Sequence, residues 1–293
     1  MPDSQMQQIE SQSLDEAIGS GSLEQVLHWI GTGESQCVYT ASSAADEDGG
    51  SPVARQLSTT STRDILIARA DDPVIVQGIS SVLSKPIASS DDFFTACAGL
   101  DSILCHLPLD TLRLYRSSLE ILAANTAQSP PGVSLPSLTS RAKDALEFIN
   151  SPDLAWPPRH KFDVMAERTL AERVRTADQM RPHARRLLDW LADCNWPPYS
   201  GCVKQLARFP EVAIDPIKNI LAEHGDDPEW LRHLVEFVEG NVRIGTLWER
   251  LEPELVLLAG READEEESRD LAEACRRLLG LLKEWRGEQL VLD

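Results

Sequence analysis

Between Ala184 and Leu282, apolar residues return at helical spacing in five successive segments, separated by short breaks marked by Pro, Gly or Asp. The sets are Ala184, Leu187, Leu188 and Leu191; Ile217, Ile220, Leu221 and His224; Leu231, Leu234, Val235 and Val238; Ile244, Leu247, Trp248 and Leu251; and Leu271, Ala274, Cys275, Leu278 and Leu282. Residues at i, i+3, i+4 and i+7 share one face of an α-helix, so each segment carries one stripe that water disfavours. Only another stripe can cover it. No window alternates apolar and polar residues well enough to make a strand. The expected fold is therefore all-α, with short antiparallel helices in a HEAT-like or α-solenoid array.

Upstream the pattern is less even. Leu23, Val26, Leu27 and Ile30 form a first stripe, with Ser22 placed to cap it. From Gly31 to Thr62 the chain is rich in Gly, Ser, Thr and Asp and reads as a mobile loop. Helical spacing resumes at Ile75, Ile79, Val82 and Leu83, then from Phe93 to Leu107 and from Leu112 to Leu122, with Pro73, Pro86 and Pro108 near the seams. Ser129 to Pro136 reads as a proline-rich linker, with a short helix from Arg141 to Ile149 after it. The expected organisation is a helix plus mobile segment over 1–62, a helical unit over 63–124, a linker over 125–140 and the HEAT-like domain over 141–293. Trp-Pro-Pro occurs at Trp156 and again at Trp196, a suggestive repeat whose flanks do not align.

Charge narrows the partners. The net charge is −19, and each half of the chain is acidic. Nucleic-acid backbones and anionic membranes are both bound through Lys and Arg, so neither is an expected partner. The chain opens without a basic and apolar leader, no apolar run is long enough to span a bilayer, and the six cysteines are scattered. These features point to an intracellular, cytoplasmic protein with reduced thiols.

Sequence signatures of catalysis are missing: no nucleophile elbow, phosphate loop, dinucleotide fingerprint or His-Glu-x-x-His is present. Cys194 and Cys202 lack companions at zinc spacing. His224 fits a helix C-terminus better than a metal pair with His233. The acidic run from Glu262 to Glu267 lacks the spacers and glycine of a calcium loop and suits a helix N-terminus. Six of the seven tryptophans fall after residue 150, and a groove lined by some of them is a fair interaction surface.

Leu187-Leu188-Asp189-Trp190-Leu191-Ala192-Asp193-Cys194-Asn195-Trp196-Pro197 resembles the signature of domain-of-unknown-function family 5071. Asp226-Asp227-Pro228-Glu229-Trp230 and Leu251-Glu252-Pro253-Glu254-Leu255 are similar to its later motifs, in the same order. The family's opening motif is matched in part by Pro158 to Asp163, with His160 in place of an acid and Phe162 in place of a histidine. The resemblance covers about residues 155–286. It implies an all-helical domain with a HEAT-like look and brings no activity with it.

The expected function is a protein-protein interaction or scaffold module, without catalytic residues, cofactor or metal, engaging a protein partner. Its candidate binding residues are Trp190, Asp193, Asn195, Trp196, Pro197, Asp226 and Trp230. Read as local geometry, Asp193 and Asn195 end a helix, Pro197 sets the turn, and Trp196 folds back over the seam as a buried residue. Two alternatives stand beside this reading. One is an enzyme with a polar site near His160, Asp163, Asp193 and Asn195; the other is an acidic inhibitor or immunity-type protein masking a basic partner.

Overall fold

The computed structural model describes residues 23–32, 37–40, 54–57, 59–243, 245–261 and 265–292. The Ser22 cap, most of the 1–62 segment and the start of the acidic run lie outside them. The chain divides into two compact units, Met1–Pro152 and Asp153–Asp293.

In the first unit, α1 (Leu23–Thr32) is followed by two four-residue strands, β1 (Cys37–Thr40) and β2 (Ala54–Leu57). They pair antiparallel, Cys37 opposite Leu57 and Thr40 opposite Ala54. This small ribbon departs from a sequence reading without strands. Then come α2 (Thr59–Ala68), α3 (Pro73–Ser84), α4 (Ser90–Cys97), α5 (Leu109–Arg113), α6 (Arg116–Ala123) and α7 (Leu135–Asn150). The starts are written in the chain. Asp72 caps α3 through Val74 N–H with Pro73 behind it, and Ser89 and Asp92 form a reciprocal capping box on α4. The helix α7 begins at Leu135, so it takes up part of the segment read as linker, and it belongs to the first unit.

The expected stripes meet. Leu27, Ile75, Ile79, Leu83, Leu100, Ile103, Leu119 and Leu122 are fully or almost fully buried, each stabilising the unit by about 1.5–3 kcal/mol relative to exposure. Tyr115 is fully buried, and its hydroxyl donates to Ala70 O at 2.6 Å. After α4 the backbone widens into a π-helix, Ala98–Ile103, a rare turn that aims Asp101 at Arg141 of α7.

The second unit runs α8 (Val164–Arg173), α9 (Ala177–Asp189), α10 (Tyr199–Ala207), α11 (Ile214–Glu223), α12 (Pro228–Asn241), α13 (Gly245–Trp248), α14 (Glu252–Ala259) and α15 (Glu266–Leu292). Thr176 and Gln179 box the start of α9, and Asp227 with Pro228 starts α12. One continuous core joins Leu187 and Leu188 of α9, Ile217 and Ile220 of α11, Leu231 to Val238 of α12 and Leu271 to Leu278 of α15. The helix α15 packs on α12 and α14. At its far end Trp285 lies against α13 so closely that a Cβ on Gly245 would stand 2.2 Å from the ring, so only glycine fits there.

Among the described residues no helix is long and apolar enough to cross a membrane. The two Trp-Pro-Pro sites sit in unlike settings: Trp156 is 6% exposed, whereas Trp196 is half-buried.

Candidate functional site

Three short segments of the second unit meet: the turn from Pro158 to Asp163, the 3₁₀ turn and loop from Trp190 to Pro198, and the start of α10. Trp190 holds the first two together, its indole N–H donating to Pro158 O at 2.9 Å. Trp196 packs edge to face on Trp190 with ring centroids 5.4 Å apart, and the Lys161 ammonium lies 5.0 Å over the Trp196 ring. Trp196 is only half-buried, which corrects the expectation of a buried seam residue; Asn195 and Pro197 on either side of it are exposed.

The carboxylates of Asp163 and Asp193 are engaged in their own turns. Asp163 is buried, and its carboxylate caps α8 by accepting from Ala166 N–H at 3.0 Å and from Arg159 N–H at 3.1 Å. Asp193 accepts from Asn195 N–H at 2.8 Å. His160 Nδ1 accepts from Phe162 N–H at 3.3 Å, and a His160 nitrogen comes within 4.8 Å of an Asp163 carboxylate oxygen. Thus His160 and Asp163 share one turn, Asp193 and Asn195 another. Trp230 is buried, with its indole N–H on Leu188 O at 3.0 Å, so this candidate binding residue is a latch between α12 and α9. Asp226 is exposed just ahead of the cap of α12. His233 is buried too: its ring meets Leu191 O at 2.9 Å and Arg232 at 3.0 Å, while His224 packs against the Trp230 ring. The two histidines thus serve separate contacts.

Between these segments lies a pocket of about 90 Å³. Phe162, Val164, Leu170, Leu187, Pro197 and Pro198 give it an apolar lining, with Lys161, Asp163, Glu167, Cys202 and Gln205 as its polar members. Phe162 and Val164 are 49% and 40% exposed, so the apolar surface continues outward from the mouth. A Cβ on Gly201 would meet Glu167 Oε2 at 2.6 Å, so the glycine is what lets that carboxylate lie against α10. Burial pushes the Cys202 thiol up to about 12, with the charge of Glu167 adding to the effect, so this cysteine stays protonated at neutral pH.

Gln205 is 1% exposed. Its Oε1 accepts from Arg208 at 2.6 Å, and Arg208 also donates to Leu170 O at 3.0 Å and Val174 O at 2.5 Å. A guanidinium only donates, so the atom facing it must be the amide oxygen. The Gln205 Nε2 group then has no hydrogen-bond partner among the described residues. Periodicity did not single out Phe162, Val164, Glu167, Gly201 or Gln205 as functional.

The match to known proteins falls on this unit. Residues 156–279 match DUF5071, a domain of unknown function. The DUF5071 match covers the pocket, the Trp190–Trp196 pair and the Trp230 latch, and it ends within α15. No curated protein matches the chain.

Proposed function

We propose that the DUF5071-matching unit is a protein-recognition module with no reaction of its own, and that it engages its partner at the pocket between α8 and α10. In this reading its helices stand as a short HEAT-like array presenting that face. One observation carries the proposal: the carboxylates of Asp163 and Asp193 are spent on capping and turns, while an apolar pocket with exposed Phe162 and Val164 at its mouth is left facing outward. Exposed apolar side chains beside a concavity are what an interface buries. The enzyme reading draws less support, because both oxygens of Asp163 already accept backbone N–H groups.

Affinity capture with the full chain tests this. The comparison is with Phe162→Asp and Val164→Arg at the mouth, and with Leu257→Arg, which alters an exposed leucine of α14 instead. The mouth variants are expected to lose a partner that the Leu257→Arg variant keeps, with thermal midpoints unchanged, as surface substitutions usually leave them. Capture should persist in high salt, whereas a partner held by acidic surface charge would be released. A partner retained equally by all variants overturns the proposal.

A further inference from the structure

Gln205 sets what the pocket can accept. A buried N–H group without an acceptor is costly, and a ligand that supplies the acceptor recovers that cost on binding. Gln205 Nε2 is already shut away from water without an acceptor among the described residues, and an apolar group seated in the pocket would leave it so. A carboxylate would supply an acceptor but would face two carboxylates, Asp163 and Glu167, against the single ammonium of Lys161, which lies over the Trp196 ring. An uncharged carbonyl satisfies both conditions. Glu167 adds a further term: its only described ion pair is an exposed one with Lys204 at 3.5 Å, so its oxygens can still accept from a neutral N–H donor. A carboxamide carries both groups, an acceptor for Gln205 and a donor for Glu167. Because Gln205 is so deeply buried, the carbonyl has to sit at the tip of the inserted group. A peptide backbone would remain at the mouth, over Phe162 and Val164.

We propose that the pocket receives the carboxamide side chain of a glutamine or asparagine from a partner segment, with Gln205 Nε2 donating to its carbonyl oxygen and the methylene stem packed on Leu170, Leu187 and Pro198. This rests on the recognition-module reading and names the group recognised.

The experiment follows the Gln205 side-chain NH₂ signals in amide-correlation NMR of the full chain, assigned by their loss in Gln205→Met. Three probes are titrated: N-acetylglutamine methylamide, N-acetylnorleucine methylamide and N-acetylglutamate methylamide. The glutamine compound is expected to shift the Gln205 signals saturably and to bind at least about tenfold more tightly than either of the others. Gln205→Glu keeps the acceptor for Arg208 and so should fold, but its binding of the glutamine compound, read from neighbouring backbone amides, should fall by a similar factor. Equal binding of the norleucine compound, no saturable shift with the glutamine compound, or undiminished binding by a folded Gln205→Glu would each overturn the inference. A captured partner that depends on Phe162 and Val164 but is kept by Gln205→Glu would overturn this inference alone and leave the module reading standing.

Discussion

The rings of Trp190 and Trp196 meet edge to face at 5.4 Å, and the Trp190 indole N–H reaches Pro158 O at 2.9 Å. The pair therefore ties the loop before α10 to the turn before α8, and both segments line the pocket. Trp196→Ala removes a half-buried ring, an edge-to-face contact and an exposed cation–π contact with Lys161. The expected loss is about 2 kcal/mol, less than the roughly 3–5 kcal/mol typical of a fully buried Trp. Thermal unfolding of the full chain measures it. A midpoint unchanged within a degree would mean the ring does not hold the seam.

Thiol burial gives a second expectation. Cys194 is exposed in the loop ahead of Trp196, whereas Cys202 and Cys275 are buried and burial pushes their thiols up to about 12 and about 11. Only the thiolate reacts quickly with a maleimide or disulfide reagent. Labelling at neutral pH, mapped by peptide mass, should therefore modify Cys194 first and reach Cys202 and Cys275 only as the unit opens. Early labelling of Cys202 would show that the pocket opens far more readily than its lining implies.

The apolar stripes made much of the fold legible. Ile217 with Ile220, Leu231 with Val238, and Leu271 with Leu278 are core because each repeats with the helix and must be covered. The four-residue strands were not legible: Cys37–Thr40 and Ala54–Leu57 are too short to show an alternation, and their pairing joins segments distant in sequence. Within α14, buried Leu255 and Leu258 flank exposed Val256 and Leu257, so an unbroken apolar run hides which face is inside. The site was legible only in part. The motif pointed to Trp190 and Trp196, but Trp230 from the same set turned out to be core. Tyr199, Cys202, Val203 and Leu206 do carry the i, i+3, i+4, i+7 spacing of α10, yet the decisive residue, Gln205, lies beside that stripe. A polar side chain turned inward leaves no mark in apolar periodicity.

The first unit supplies a pH expectation. Asp101, on the π-helix, pairs through one carboxylate oxygen with Arg141, while its other oxygen is buried without a partner among the described residues. Burial pushes its carboxyl up to about 6 from an ordinary 3.8, against the opposing pull of Arg141. Between these two values the folded chain binds more protons at this site than the unfolded chain does. Its contribution to stability therefore falls as pH rises through that window and is largest below it. Two pKa units correspond to about 2–3 kcal/mol. Asp101→Asn imitates the protonated carboxyl at every pH, so wild type and variant should be about equally stable near pH 4, with the variant gaining on wild type up to pH 6–7. Denaturant unfolding of both proteins across this range gives the difference directly. A difference that stays constant with pH, or that grows in favour of wild type as pH rises, would mean Arg141 outweighs burial and keeps Asp101 ionised throughout.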